Sequence, residues 1–148
     1  MILSGPLRLQ PFRPSKFIKQ NLPSKIFVDI LKKQFVVQQH STADGVHWDL
    51  MLEAENMLWT WRIYVPPERI LQDRFVAAER IADHSLRFLD YEGPVQKGTG
   101  TVQIAEQGYY TLTHRQPDHL KGNFVGEILK GSFTLLKKND PQWILSIS

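Results

Sequence analysis

The sequence predicts a mostly β domain: a compact antiparallel β-barrel of about seven or eight strands with one or two short helices. Three observations carry this reading. Apolar residues alternate with period two over short runs through most of the chain, turn-forming residues separate those runs, and no internal repeat or low-complexity tract interrupts them. Closing such a sheet removes the vulnerable strand edges that an open one would expose.

Residues 1–33 read differently from the rest. Pro6, Pro11 and Pro14 favour an extended arm. From Pro23, Ile26, Phe27, Ile30 and Leu31 recur at helical spacing, with Ser24 as a candidate cap and Lys32 and Lys33 in the last turn. This segment carries Arg8, Arg13, Lys16, Lys19, Lys25, Lys32 and Lys33 against the single acid Asp29. The division expected is therefore a basic arm with a short helix over 1–33 and a β domain over 34–148.

Strands follow at Phe35 to His40, His47 to Leu52 and Leu58 to Tyr64, joined by Asp44-Gly45 and Asn56 turns as in a meander. Pro66-Pro67 breaks the pattern, and the segment from Glu68 to Asp83 reads as a loop with a short helix around Val76 to Arg80. Strand signals resume at Gly100 to Ala105, Tyr109 to Thr113, Phe124 to Leu129, Ser132 to Lys137 and Trp143 to Ile147. Gly108, Gly122, Gly131 and Asn139-Asp140-Pro141 act as punctuation.

The chain has 148 residues, of which 42% are hydrophobic and 22% charged, enough for one core. The absence of cysteine excludes disulfides, thiolate nucleophiles and Cys-ligated zinc, so any metal must be held by imidazole, carboxylate or water. The net charge of +3 is by itself a faint sign of an anionic partner. No apolar run approaches the roughly 20 residues of a membrane span. The opening MILSGPLRLQPFRPSK lacks a secretory pattern, so the expectation is a soluble protein of the cytoplasm with no membrane partner.

His40 ends one predicted strand, and His47 and Asp49 lie two apart on the next, so all three side chains can meet on one face of a hairpin. Trp48, Leu50 and Leu52 take the opposite, core-facing side. Two imidazoles and a carboxylate leave coordination positions open and suit a catalytic Mn, Fe or Zn ion. The competing reading is a hydrogen-bonded His47–Asp49 surface pair without metal. His84 is a further candidate, against a plain loop histidine; His114 and His119 read as solvated residues beside a turn. Trp59 and Trp61 share a face with Ile63 and read as core, with base stacking as the functional alternative. Lys97-Gly98-Thr99-Gly100 lacks nucleotide-loop spacing and reads as a tight connection.

The ordered motifs FVVQQH, HWDLMLE, TWRIYVPP, DHSLRFLDYEGPV, GTGTV, LKGSFTL and a closing WIL shift this balance. In that order they resemble the 3'-phosphoesterase domain of bacterial ligase D, also known as the DNA polymerase/ligase N-terminal domain, from about Gln34 onward. The resemblance implies a β-barrel that binds Mn, or Zn or another divalent cation, on His40, His47 and Asp49, with His84 helping to hold phosphate. It implies removal of a 3'-phosphate or 3'-terminal ribonucleotide from DNA ends in repair and non-homologous end joining, with ligase and polymerase repair proteins as partners.

The sequence also departs from the family pattern. Met51 stands where an arginine is usual, Phe88 where a tyrosine is usual, and Tyr64-Val65-Pro66-Pro67 lacks the family's lysine. The N-terminal Arg-Asp and downstream Glu have no recognisable counterparts in residues 1–33. Arg62, Arg74 and Arg80 are the candidates to replace the missing positive charge. A non-catalytic module that binds DNA ends or a repair partner is the alternative function, and a phosphoesterase of a different small substrate is a third.

Overall fold

The computed structural model of the chain describes residues 33–148. Lys33–Ser148 form one compact unit. The predicted basic arm and the helix from Pro23 lie in residues outside the described ones; Lys33 already begins the first strand.

Three long strands open the fold: β1 (Lys33–Thr42), β2 (Gly45–Ala54) and β3 (Met57–Ile63). A two-residue turn, Ala43–Asp44, joins β1 to β2, and the Thr42 hydroxyl accepts the Asp44 amide at 3.1 Å. Glu55 and Asn56 join β2 to β3 with φ of 54° and 67°, the paired left-handed values that match the twist of a hairpin. Helix α1 (Pro67–Asp73) and β4 (Phe75–His84) follow. A 3-10 turn (Leu86–Leu89), the two-residue β5 (Gly93–Pro94) and a second 3-10 turn (Gln96–Gly98) lead to β6 (Thr101–Gln116), β7 (His119–Gly126), β8 (Lys130–Asn139) and β9 (Gln142–Ile147).

The sheet order is β1-β2-β3-β4-β9-β8-β7-β6-β5, every pairing is antiparallel, and β1 also pairs with β6. The sheet thus closes in a ring, with β5 attached at β6. Among the described residues, no helix is long and apolar enough to cross a membrane.

Two expectations are corrected. The helix lies at Pro67–Asp73, ahead of the predicted Val76 to Arg80. Pro67 supplies a preset φ and gives up a hydrogen bond that the first helical turn does not use. Val76 to Arg80 instead belongs to β4, where Phe75 to Glu79 pair with β9 and Val76 and Ala78 enter the core. The predicted strands at Gly100 to Ala105 and Tyr109 to Thr113 are one strand, β6, which pairs with β1 through Thr101 to Tyr110 and with β7 through Gly108 to Gln116. Gly108 does not end a strand there. It sits opposite Gly126, and a Cβ on it would lie 2.3 Å from the Val125 carbonyl, so glycine allows the tight crossing of β1, β6 and β7.

The main core lies inside the ring, from Phe35, Val37, Leu50, Leu52, Trp61 and Ile63 on the first three strands to Phe124, Phe133, Trp143 and Leu145 on the last. A second apolar cluster lies on the opposite face of β1–β3, where Val36, Met51 and Leu58 are covered by Leu86, Phe88, Leu89 and Ile104. The middle of these strands is therefore buried on both faces, which is why FVV and LML read as continuous apolar runs.

One buried carboxylate organises the crossing. Glu106, paired with Val37 beside a bulge in β6, is 5% exposed. Its carboxylate accepts the amides of Ile128 and Leu129 at 2.6 Å each, of Gln107 at 3.0 Å and of Glu127 at 3.4 Å, and so holds the β7–β8 turn. A Cβ on Gly126 would lie 2.5 Å from the Glu106 carboxylate. Replacing Glu106 by alanine leaves several of these donors without an acceptor, and each hydrogen bond to a charged group contributes about 1.5–3 kcal/mol. Urea unfolding of Glu106→Ala is expected to show a loss of about 3 kcal/mol or more; a midpoint equal to wild type would contradict this role.

Candidate metal centre

Register builds the centre. His40 is the direct partner of His47 across β1–β2, and Asp49 is the direct partner of Arg62 across β2–β3. Because side chains alternate faces along a strand, His40, His47, Asp49 and Arg62 share the outer face, while Trp48 and Leu50 turn inward against the main core. His40 Nδ1 and His47 Nε2 are 3.1 Å apart, and His47 Nε2 lies 3.4 Å from Asp49 Oδ2. One donor atom from each of the three residues lies within 4.8 Å of the others. Among the described residues this is the one group of three or more His, Asp or Glu side chains so arranged.

His40 is oriented from behind. Its Nε2 lies 2.6 Å from the carbonyl oxygen of Thr99. A carbonyl can only accept, so Nε2 carries the proton and the neutral ring keeps its lone pair on Nδ1, the nitrogen that faces His47 and Asp49. Thr99 is itself fixed, its hydroxyl donating to the Gln96 carbonyl at 2.7 Å. The connection that read as merely tight in the sequence therefore sets the tautomer of a candidate ligand, as outer partners of metal-bound histidines ordinarily do.

The electrostatics favour the same chemistry. Burial lowers the His47 pKa below its ordinary value, with Arg62 and His40 acting in the same direction and Asp49 opposing them. The neutral imidazole, the form that ligates a metal, is thereby favoured. Asp49 is 3% exposed, and its Oδ1 is approached by Arg62 Nε at 3.4 Å. Two imidazole nitrogens and one carboxylate oxygen fit a divalent cation of the Mn, Fe or Zn type and leave further coordination positions for water and substrate.

His84 is on the same sheet but in a different row. It pairs with Leu58 at the end of β4. Its Nδ1 lies 3.0 Å from the Ala82 carbonyl and 3.1 Å from the Thr60 hydroxyl, which in turn donates to the Leu58 carbonyl at 2.9 Å. The proton therefore sits on Nδ1, and Nε2, with no protein partner among the described residues, is the nitrogen left for a ligand. Thr60 is the direct partner of Met51, two residues beyond Asp49, so one strand step of about 7 Å separates the Asp49–Arg62 row from the Met51–Thr60 row.

Met51 and Phe88, two of the departures from the pattern that the sequence resembles, occupy one place. Met51 is 1% exposed and packs with Phe88 in the second apolar cluster, and the Phe88 ring meets His84 edge-on at 5.6 Å. Apolar packing fills this place. Of the three candidate arginines only Arg62 reaches the centre. Arg80 lies on the opposite face, its guanidinium 4.9 Å over the Trp61 ring. Arg74 follows α1 and lines a different cavity with Phe75 and Ser146.

Residues 38–137 match the family of the DNA Ligase D 3'-phosphoesterase domain. The chain belongs to this family. No curated protein matches it at a significant level. The match to the 3'-phosphoesterase family spans every residue of the candidate centre: His40, His47, Asp49, Arg62, His84 and Thr99. It includes all of β2 to β7 and ends within β8, so β9 lies beyond it.

Sequence reasoning missed four contributors. Thr99 acts through its backbone carbonyl, which no side-chain motif reveals. Thr60 was passed over because it alternates with the tryptophans. Gln38 shares the outer face with His40 and ties β1 to the covering segment by donating to the carbonyls of Phe88 at 3.0 Å and Tyr91 at 2.8 Å. Tyr64, 64% exposed, sets its ring 6.2 Å from His47 at the rim. Period-two alternation from His40 was the available signal for Gln38.

A divalent cation bound at a hundredfold excess over its Kd should raise stability by about 2.7 kcal/mol. Thermal unfolding with Mn is expected to show that gain in the wild type and to lose most of it in His47→Ala and Asp49→Asn; an undiminished Mn-induced shift in both variants would refute the ligand assignment.

Proposed function

We propose that this protein is a metal-dependent phosphoesterase that processes nucleic-acid 3' ends, removing a 3'-phosphate or a 3'-terminal ribonucleotide to leave a 3'-hydroxyl. The convergence of His40, His47 and Asp49 beside Arg62 is the observation that carries this reading, together with family membership. Manganese is the first choice of metal, with Zn or another divalent cation also compatible with the donors. When bound, the cation supplies Lewis acidity and charge neutralisation at the phosphoryl group.

The chain's own residues account for the rest. His40, held by Thr99, and His47 and Asp49, held by strand register, form a rigid ligand set. Arg62, half-buried beside Asp49, places positive charge where non-bridging phosphate oxygens gather negative charge. His84, with Nδ1 fixed by Ala82 and Thr60, presents Nε2 and when protonated donates from it to phosphate or to the departing 3'-oxygen. Water attacks phosphorus, the bond from phosphorus to the 3'-oxygen breaks, and that oxygen gains a proton. Substrate DNA and the repair ligases and polymerases that use the 3'-hydroxyl are the partners this reading implies, in the cytoplasm.

A second reading has its own support. The Met51–Phe88 cluster puts apolar side chains in place of charge beside His84, which favours a non-catalytic module that binds DNA ends or a repair partner.

The Mn-loaded protein is expected to convert a 3'-phosphorylated or ribonucleotide-tailed primer to a 3'-hydroxyl, with His47→Ala inactive. Arg62→Ala should lower kcat by about 10²–10³, the usual cost of removing a donor aimed at developing charge. Salt-sensitive DNA binding without turnover would favour the binding module; turnover surviving in His47→Ala would remove the proposed centre from the chemistry.

A further inference from the structure

The inner face of β3 lines a second cavity, of about 370 Å3. Its walls are Trp59, Trp61, Trp143 and Leu120, with Arg80, Arg115, Gln116 and Pro117 around them. This is within the size range of small-ligand pockets, which combine aromatic walls with a few polar groups. Strand alternation separates it from the metal centre: Trp59 and Trp61 face inward, while Thr60 and Arg62 between and beyond them face out.

Three features exceed what a hydrophobic core needs. Arg80 and Arg115 hold their guanidinium carbons 4.9 Å and 4.8 Å from the centroids of the Trp61 and Trp59 rings, so a cation lies over each ring. Among the described residues, the indole nitrogens of Trp61 and Trp143 are buried without a hydrogen-bond partner, although native proteins ordinarily pair such donors. Finally, the two arginines differ. Arg80 is committed to the carbonyls of Thr60 and Ile81 and to Asp83. Arg115 has, among the described residues, one ion-pair partner, Glu55, in a pair whose side chains are 52% and 67% exposed, and such pairs are weak and easily exchanged.

We propose that this cavity is a nucleotide-binding site, in which a nucleobase stacks on the half-buried Trp59 indole and its phosphate takes Arg115 from Glu55. A base offers a flat π surface for both indole and guanidinium. A phosphate offers the doubly charged group that a guanidinium fork prefers to a lone exposed carboxylate. The source of this chemistry is either a free nucleotide or an unpaired nucleotide within a strand. The site is independent of the phosphoesterase reading, because none of its lining residues belongs to the metal centre.

Calorimetry on the full chain, without added metal, tests this with deoxyadenosine monophosphate, a short single-stranded oligonucleotide, and inorganic phosphate as a charge-only control. Saturable binding of the mononucleotide or the oligonucleotide, at least tenfold tighter than phosphate, is expected. Arg115→Ala and Trp59→Leu should each weaken it at least tenfold, whereas His47→Ala should leave it unchanged. Arg115 and its partner are exposed, so Arg115→Ala is expected to keep wild-type unfolding behaviour. Binding of both probes supports a free-nucleotide site, and binding of the oligonucleotide alone supports a strand site. Absence of saturable binding, insensitivity to both cavity variants, or loss in His47→Ala would overturn the proposal, the last by moving the ligand to the metal centre.

Discussion

The register of the first two hairpins is the constraint on which the candidate centre depends. Side chains on a strand have period two, so a slip of one residue between β1 and β2 would send His40 or the His47–Asp49 pair to the wrong face. Two features fix that register. Short turns of two residues leave little freedom, and Glu55 and Asn56 accept the left-handed geometry that the second turn requires. The core supplies the rest, since Phe35, Val37, Leu50, Leu52, Trp61 and Ile63 must all face inward together. Placing His40 opposite His47 and Asp49 opposite Arg62 follows from the same requirement that buries the core.

Closing the ring adds a second demand, met by β6. One strand of 16 residues serves β1 along its first part and β7 along its second. The bulge near Glu106 permits the change of partner, because an extra residue bends and twists a strand. Glu106 then takes up amides from the β7–β8 turn that the ladder does not pair, and Gly108 and Gly126 leave room for backbone and carboxylate to approach. Charge burial is tolerable here because several N–H donors replace water.

The outer face combines two environments. At one end it presents ligand-type side chains, and further along it is covered by Leu86, Phe88 and Leu89. His40 and His84 stand at the two ends and are oriented in the same way: a carbonyl oxygen, from Thr99 or Ala82, takes the proton of one ring nitrogen and leaves the other for chemistry. Met51 and Phe88 lie between these histidines in dry packing. The outer face thus carries His40, His47 and Asp49 at one end and apolar packing further along, with Arg62 as the cation beside Asp49.

The sequence by itself determined the β class, the first three strands, the inward face of Leu50 and Leu52, and the meeting of His40, His47 and Asp49. These are local properties, since alternation and two-residue turns act over neighbouring residues. Local pattern misplaced the helix, because Val76 to Arg80 takes its strand form from pairing with β9, which is far away in the chain. It could not separate Arg62 from Arg74 and Arg80, because which arginine reaches Asp49 depends on which face of a neighbouring strand each one occupies. Nor could it show Thr99, whose contribution is a backbone carbonyl brought to His40 across 59 residues. Tertiary structure decided these points because long-range strand pairing, unlike alternation, leaves no periodic trace in the sequence.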